Sequence, residues 1–285
     1  MKGLIVTADD FGVAPQVNDA VENAHRNGIL TAASLMVTGA AAADAIARAH
    51  RLPSLRVGLH LVLVEGRPVL PPQLIPDLVG PDGLFRTNMA VAGANMFFRP
   101  KVRRQLAAEI GAQFEAFRAS GLPLDHVNAH KHFHLHPTIA ELIVEIGGRF
   151  GMRAARIPSE PGPILSRVEP AAKVSPAWLM APWTALLRGK YARAGLLVPA
   201  QVFGLAWSGA MTETRVAGIL RHLPEGLSEV YLHPATSDRF DGAAPGYRYA
   251  EEFAALTAPA VVAAARQRDI KLGGFADFLG MAART

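Results

Sequence analysis

The stretch GLIVTADDFG, residues 3–12, joins an apolar run to two acids and a glycine that can turn the chain. The run at residues 3–8 predicts a buried strand, and the residues after it predict a helix over 15–27. A strand near residues 32–37 and an Ala-rich helix through Ala49 follow. The chain therefore opens with a βαβα pattern, which is typical of α/β proteins with parallel sheets.

Strand and helix patterns keep alternating along the rest of the chain. Residues 56–63 (RVGLHLVL) predict a third strand, followed by a Pro- and Gly-rich loop through about residue 95. Further elements are predicted as a helix at 100–120, a strand in the histidine-rich stretch 125–137, a helix at 138–150 preceded by Pro137, a strand at 153–157, a helix at 212–223, a strand at 229–233, a helix at 251–266 and a short strand near 271. This repetition predicts an incomplete or distorted TIM-like (β/α) barrel in a single domain over residues 1–285.

Composition restricts the chemistry that the chain can use. Hydrophobic residues make up 50% of the 285 positions, which is enough for a substantial core. The absence of cysteine excludes disulfides, thiolate ligands and a cysteine nucleophile, so any metal would need imidazole and carboxylate ligands. The first residues have no apolar region long enough for a signal peptide, and we therefore expect a cytoplasmic protein.

The formal charge is +5, and its basic residues are spread along the chain, for example at Arg48, Arg51, Arg104 and Arg266. Nucleic-acid readers usually show a concentrated basic patch with a groove-reading element or interleaved aromatic residues. Neither feature is visible in the sequence. We therefore expect no nucleic-acid partner.

Residues 158–211 break the alternation with prolines, all three tryptophans and two apolar runs, which indicates an insertion. The second run, residues 194–212, is uncharged over 19 residues, close to the length of a membrane span. Pro199, Gln201 and Gly204 within it make it a poor span. We favour buried core or a homodimer contact over a lipid-facing cap that would bring the protein to a membrane surface.

The stretch DHVNAHKHFHLHP, residues 125–137, holds five of the ten histidines. Alternation along a strand would place one polar set on a single face while strand geometry lasts. This set comprises His126, Asn128, His130, His132, His134 and His136. Successive members would lie about 6.5 Å apart, so only one or two could reach a metal ion, and the others would orient ligands or bind substrate. The pattern predicts a metal or acid–base site.

Other titratable residues fall at the ends of predicted strands. Asp9 and Asp10 end the first strand, His60 lies in the third, and His233 closes the strand at 229–233. Because the carboxyl ends of parallel strands meet at one edge of a sheet or barrel, these side chains should converge with the histidine stretch. The combination predicts a mononuclear metal hydrolase.

The motifs TADDFG (7–12), GLH (58–60), the histidine stretch through Pro137 and LHP (232–234) resemble those of YdjC-type carbohydrate deacetylases over nearly the whole chain. The Trp-rich insertion and the YLHPAT segment (231–236) look most like the hopanoid-biosynthesis branch of that family, called HpnK. The resemblance implies hydrolysis of an N-acetyl group on an amino sugar. In the HpnK branch the substrate would be an acetylglucosaminyl hopanoid, with the apolar insertion contacting the lipid.

The resemblance also implies roles for individual residues. Asp10, His60 and His130 would bind one divalent metal ion, with zinc or magnesium expected first. Asp9 would be the general base and His233 the general acid. Asn128, where the family often carries Asp, is a substrate-binding candidate together with His132 and His134.

Removing a proton from water and donating one to the amine require groups of opposite protonation, which predicts a bell-shaped pH profile. Two other functions stay open at this point. One is a deacetylase of soluble chitooligosaccharides, and the other is a non-catalytic, metal-stabilised sugar-binding protein.

Overall fold

The computed structural model describes residues 2–170, 177–267 and 269–284. Within them, seven parallel strands form a curled sheet in the order β4-β3-β2-β1-β6-β5, with β7 also paired to β1. The strands are β1 (Lys2–Phe11), β2 (Ala32–Leu35), β3 (Arg56–Leu61), β4 (Val127–Ala129), β5 (Gln201–Phe203), β6 (Gly226–Leu232) and β7 (Ile270–Leu272). No ladder among the described strands joins β5 back to β4, so the sheet is an incomplete barrel, as predicted.

Helices connect the strands. They are α1 (Pro15–Asn27), α2 (Ala42–His50), α3 (Met89–Phe98), α4 (Pro100–Ala119), α5 (Pro137–Arg149), α6 (Gly162–Val168), α7 (Ala177–Arg193), α8 (Glu213–Arg221), α9 (Tyr249–Thr257) and α10 (Pro259–Ala265). Proline occupies the first turn of α1, α4, α5 and α10, where its missing N–H would have no intrahelical partner. The bounds of α1 agree with the prediction.

Strand β1 lies at the centre of the sheet and organises its interior. It pairs with β6 from Lys2 to Ala8, with β7 over its first residues, and with β2 from Thr7 onward. Alternation places the side chains at positions 5, 7 and 9 on one face. Ile5 packs in an apolar cluster with Phe275 and Phe278, which belong to the 3₁₀ helix Phe275–Arg284. The apolar floor of the barrel is thus followed by polar positions nearer the carboxyl ends.

Three sequence predictions of secondary structure are wrong in part. The long loop through residue 95 contains the start of α3, which the Asn88 side chain caps by accepting a hydrogen bond from the Val91 N–H. The helix predicted at 251–266 divides at Pro259, because the residue before a proline avoids helical geometry and Ala258 is extended (φ −61°, ψ 130°). The segment 153–157 forms only isolated bridges, from Ala155 to Val127 and from Ala154 to Leu197.

The predicted strand through the histidine stretch is also wrong beyond Ala129. Strand β4 ends there, and a 3₁₀ helix covers His130–Leu135, with left-handed backbone at Lys131 and His132 (φ 53° at both). The His134 ring stabilises this turn, because its Nδ1 accepts the Ala129 N–H at 3.1 Å. The single polar face therefore extends only over the first members of the set.

The segment 158–211 supplies α6, α7 and the edge strand β5. Its second apolar run is buried, with Val202, Phe203 and Met211 at 0% exposure and Trp207 at 5%. The expectation of buried core at this run is confirmed. No helix among the described residues is long and apolar enough to cross a bilayer.

Candidate metal centre and active-site cavity

Asp9 and Asp10 both line a cavity of about 510 Å³ at the carboxyl ends of the strands. Neighbouring residues in a strand normally point to opposite faces. Here Asp10 adopts a left-handed conformation (φ 61°), and the β1–β2 register shifts between Ala8 and Phe11. Aspartate tolerates this conformation better than most residues. The bend therefore directs two consecutive carboxylates into one cavity, as the sequence predicted for the end of the strand.

Asp10 lies against two histidines in a potential metal site. Its Oδ1 is 3.2 Å from His60 Nε2 and 3.2 Å from His130 Nδ1. One ligand atom from each of the three residues lies within 4.8 Å of the others. His60 comes from β3 and His130 follows β4, so adjacent strands deliver the two rings. The structure thus brings together the three ligands that the resemblance implied.

Hydrogen bonding around His60 leaves a position between this ring and Asp10 that a proton or a metal ion can fill. His60 Nδ1 lies 2.6 Å from Asn128 Oδ1, while the Asn128 amide nitrogen donates to Ser34 Oγ at 2.9 Å. Nδ1 therefore carries a proton, and Nε2 of the neutral ring presents its lone pair to Asp10 Oδ1. Two lone pairs at this separation repel unless a proton or a metal ion lies between them. One carboxylate and two imidazoles are common ligands of zinc and related ions, so the residues fit a divalent metal.

The pKa values at the site show the same attraction for positive charge. Burial opposes protonation of His60, but Asp9 and Asp10 outweigh it and raise the pKa of that ring above its ordinary value. Burial would raise the pKa of Asp10, but His130 and His60 hold it well below its usual range. Asp10 is therefore ionised at neutral pH and can act as a ligand.

Asp9 is held by a buried arginine that the sequence analysis did not single out. Arg156 donates to Asp9 Oδ2 at 2.5 Å and to Asp9 Oδ1 at 3.0 Å. The same guanidinium donates to Glu229 Oε1 at 2.7 Å, and Thr7 Oγ1 donates to that oxygen at 2.8 Å. All four side chains lie in the barrel interior, and Arg156 has 0% exposure. The available sequence signal was Arg156 beside Ala154, Ala155 and Ile157 in a predicted strand, because a buried guanidinium requires acidic partners.

This pairing determines the charge of Asp9. Burial alone would raise the pKa of Asp9, but the adjacent Arg156 guanidinium holds it well below its usual range. Asp9 is therefore ionised at neutral pH. It also accepts a hydrogen bond from the Asn128 amide at 3.3 Å, which links it to His60. An ionised aspartate at position 128, which the resemblance leads one to expect, could not donate this bond, so Asn128 supplies a contact that Asp would lack.

The other predicted substrate-binding residues occupy different positions. His132 lines the cavity, and its Nε2 lies 2.9 Å from the Tyr231 hydroxyl. Burial, with Arg156 nearby, lowers the pKa of His132 to about 3, so this ring is neutral at physiological pH. His134 and Asn128 are not among the cavity-lining residues, and each has the structural contact described above. Their predicted substrate-binding roles are untested.

His233 follows β6 and also lines the cavity. Its backbone N–H donates to Glu252 Oε2 at 2.5 Å, and its Nδ1 lies 3.9 Å from the same oxygen. The Tyr247 ring centroid is 5.2 Å from that of His233, and the Tyr247 hydroxyl lies 2.9 Å from Ser208 Oγ. Asp9, the three potential ligands and His233 therefore share one cavity, which has the groups expected of a metal-assisted hydrolase.

The family comparison indicates a hydrolytic enzyme that acts on N-acetyl sugars. The family model described as YdjC-like protein matches residues 3–267, so the chain belongs to the YdjC-like family. A carbohydrate deacetylase from Geobacillus stearothermophilus is 30% identical over 279 residues, which cover 96% of this chain and 97% of that protein. A human carbohydrate deacetylase is 32% identical over 256 residues, which cover 81% of this chain and 74% of that protein.

Solved structures share the fold. A crystal structure of a candidate cellobiose-phosphate cleavage protein from Enterococcus faecalis V583 matches with a TM-score of 0.74 and 23% identity, covering 97% of this chain and 98% of that one. A lactam utilization protein from Thermus thermophilus matches with a TM-score of 0.50 and 18% identity, covering 96% and 100%. The likeness supports the incomplete (β/α) barrel.

Replacing Arg156 with methionine should destabilise the protein strongly. The change leaves the Asp9 and Glu229 carboxylates buried without their cation, and loss of one partner from a buried pair typically costs about 3–5 kcal/mol of unfolding free energy. Urea denaturation at pH 7 measures this difference. Equal unfolding free energies for the native protein and Arg156→Met would contradict a stabilising role for the buried pairing of Arg156 with Asp9 and Glu229.

The same comparison has a defined pH dependence. In the native protein the depressed pKa of Asp9 contributes stability that is present above pH about 4 and is lost as the pH falls. In Arg156→Met burial would raise that pKa, so the variant gains relative stability on acidification. The difference in unfolding free energy between the native protein and Arg156→Met should therefore become smaller as the pH is lowered from 7 to about 4. Arg51→Met, at an exposed site, is the matched control.

His130→Ala should lower the affinity for divalent metal, because it removes one of the three ligands. Residues that only orient metal ligands contribute about 10- to 100-fold to affinity, so loss of a ligand should cost at least as much. Equilibrium dialysis against zinc followed by elemental analysis measures the bound metal. His50→Ala, at an exposed ring that contacts the Ser120 carbonyl, is the control. Equal metal content in both variants would refute the assignment.

Proposed function

We propose that this carbohydrate deacetylase acts on an N-acetylglucosaminyl glycolipid, an acetylglucosaminyl hopanoid, and releases acetate and the free amino sugar. The observation that carries the proposal is a pair of cavities that share one lining residue, His132. One contains the potential metal ligands with Asp9 and His233, and the other is apolar. The branch-level resemblance to HpnK supports the same substrate.

Hydrolysis of an acetamide needs a stronger electrophile, a proton acceptor for water and a proton donor for nitrogen. A divalent metal held by Asp10, His60 and His130 would polarise the acetyl carbonyl and increase the acidity of the attacking water. Zinc and magnesium are the ions expected first. The remaining requirements fall to the side chains around this site.

Asp9 is the proposed general base. Arg156 fixes both carboxylate oxygens and keeps Asp9 ionised at neutral pH, which is the form a general base requires, while its depressed pKa lowers the proton affinity of the group. The Asn128 amide, which binds both Asp9 and His60, maintains the base and the metal ligand in a constant relative position. The rigid attachment limits the entropy lost when the reacting groups align.

His233 is the proposed general acid. The amide nitrogen must gain a proton before it leaves as an amine, and a protonated imidazole at the cavity can supply it. The Glu252 carboxylate lies beside this ring, with its Oε2 3.9 Å from His233 Nδ1. His132 remains neutral at physiological pH. We propose that it contacts the sugar in the cavity without donating or accepting a proton in the reaction.

A second cavity, of about 480 Å³, supports the lipid-linked substrate. Its walls are mainly apolar and include Phe133, Leu135, Pro137 and Trp183, while His132 lines this cavity and the metal cavity alike. Trp183 lies in α7, within the insertion, and its Nε1 donates to the Leu135 carbonyl at 2.8 Å. An amino sugar at the metal site could therefore extend an apolar aglycone along these walls. We propose a cytoplasmic enzyme that works at the inner face of the membrane.

Acetate release from a lipid-linked N-acetylglucosaminyl hopanoid and from soluble chitobiose tests the substrate assignment. With added metal, we expect a higher kcat/KM for the lipid-linked substrate and no release after chelation. Trp183→Ala should lower kcat/KM for the lipid substrate by about tenfold, the effect of losing one well-packed apolar contact, and leave chitobiose unaffected. Release from chitobiose alone would favour the soluble-oligosaccharide deacetylase and refute the hopanoid substrate.

A further inference from the structure

Helix α3 presents large apolar side chains to solvent at its C-terminal end. Phe97 is 56% exposed, Phe98 is 76% exposed, and Val91 on the same helix is 52% exposed. The two phenylalanine rings contact each other edge to face, with centroids 4.9 Å apart. We call Val91, Phe97 and Phe98 the α3 patch. Clustered aromatic exposure of this kind usually marks a binding surface.

Basic residues are concentrated in the sequence on both sides of the α3 patch. Residues 83–108 contain five basic residues and no acidic residue, which equals the formal charge of the whole chain. All five are exposed, and they are Arg86, Arg99, Lys101, Arg103 and Arg104. Lys101 and Arg103 form ion pairs with Asp77 and Glu141. Within the described part of the chain, Arg99 and Arg104 have no ion-pair partner within 4.0 Å.

The α3 patch adjoins the apolar cavity described above. The Phe97 ring lies edge to face with His136 at 6.2 Å between centroids, and His136 contacts Phe133 at 6.1 Å. His136 and Phe133 both line the apolar cavity, which His132 connects to the metal cavity. A chain of ring contacts therefore leads from the exposed aromatic tip through His136 to the wall of the apolar cavity.

We propose that the α3 patch and its basic neighbours dock this protein on an anionic phospholipid bilayer. Aromatic side chains enter the boundary between headgroups and acyl chains, while arginine and lysine bind the anionic headgroups. A second copy of this chain fits the surface less well. A symmetric contact through the α3 patch would bring together two clusters in which five basic residues are paired with only two acids, Asp77 and Glu141. The charge pattern thus favours a partner that has an anionic surface and an apolar interior.

Docking in this orientation turns the apolar cavity towards the bilayer. A lipid-linked sugar could then move its headgroup to the metal cavity while its aglycone follows the apolar walls. This consequence rests on the proposed glycolipid substrate, whereas bilayer binding itself does not. The apolar run at residues 194–212 is not part of the docking surface, since its large side chains are buried.

Vesicle flotation with the full chain and no substrate tests the proposal. The probes are vesicles of phosphatidylcholine alone and vesicles of equal parts phosphatidylcholine and phosphatidylglycerol. We expect the protein to float with the anionic vesicles only, and high salt should release it. The Phe97→Ser/Phe98→Ser and Arg99→Gln/Arg104→Gln variants should each reduce the bound fraction by about tenfold or more.

Arg51→Gln/Arg221→Gln is the matched control, because it removes two exposed charges elsewhere on the protein and should leave binding unchanged. Thermal unfolding checks that all variants are folded. Equal flotation of Phe97→Ser/Phe98→Ser and the unmodified protein would overturn the proposal. So would a dimer in light scattering that this variant abolishes while neither vesicle binds. Flotation is independent of acetate release, so binding without lipid deacetylation would refute the substrate and keep the docking surface.

Discussion

The buried guanidinium of Arg156 is the interaction on which the catalytic arrangement depends. It joins Asp9 of β1 to Glu229 of β6 in the interior of the barrel, where an unpaired charge would be costly. Thr7 completes the group through Glu229. Below this layer the interior is apolar, with Ile5 against Phe275 and Phe278, and above it the cavity begins. The Arg156 side chain therefore lies between the apolar interior of the barrel and the cavity that contains Asp9.

The bend in β1 gives two consecutive carboxylates different environments. Asp9 continues the alternation of the strand and meets Arg156, whereas the left-handed backbone at Asp10 directs its carboxylate towards His60 and His130. A carboxylate already bound to a guanidinium is a poor candidate for a metal ligand but stays ionised, and one between two imidazoles is a suitable ligand. Asn128 joins the two environments by contacting both Asp9 and His60.

Features that follow from local pattern could be predicted from the sequence. Helix α1 matches because Pro15 begins it, and the convergence of Asp9, Asp10, His60 and His130 follows from the common edge on which parallel strands end. Other features depend on tertiary contacts. The left-handed turn after His130 and the pairing of Arg156 with Asp9 need partners remote in sequence.

A second group of features is visible in the sequence but was not predicted from it. The Asn88 cap identifies the start of α3, and the basic residues appear dispersed when they are counted over the chain. Their concentration between residues 83 and 108 becomes meaningful only beside the exposed Phe97 and Phe98. The local sequence of a single helix does not show whether its apolar residues are buried. Tertiary packing decides whether such a segment belongs to the core or to the surface.

We propose that Asp10 holds the metal ion while Asp9 accepts the proton from water. Bound zinc and acetate release, measured on the same preparations of Asp9→Asn and Asp10→Asn, separate these two roles. We expect Asp9→Asn to keep the metal but to lose about 10²- to 10⁴-fold in kcat, the effect of losing a general base. We expect Asp10→Asn to lose metal affinity. Loss of metal from Asp9→Asn, or full turnover by that variant, would contradict the division of roles.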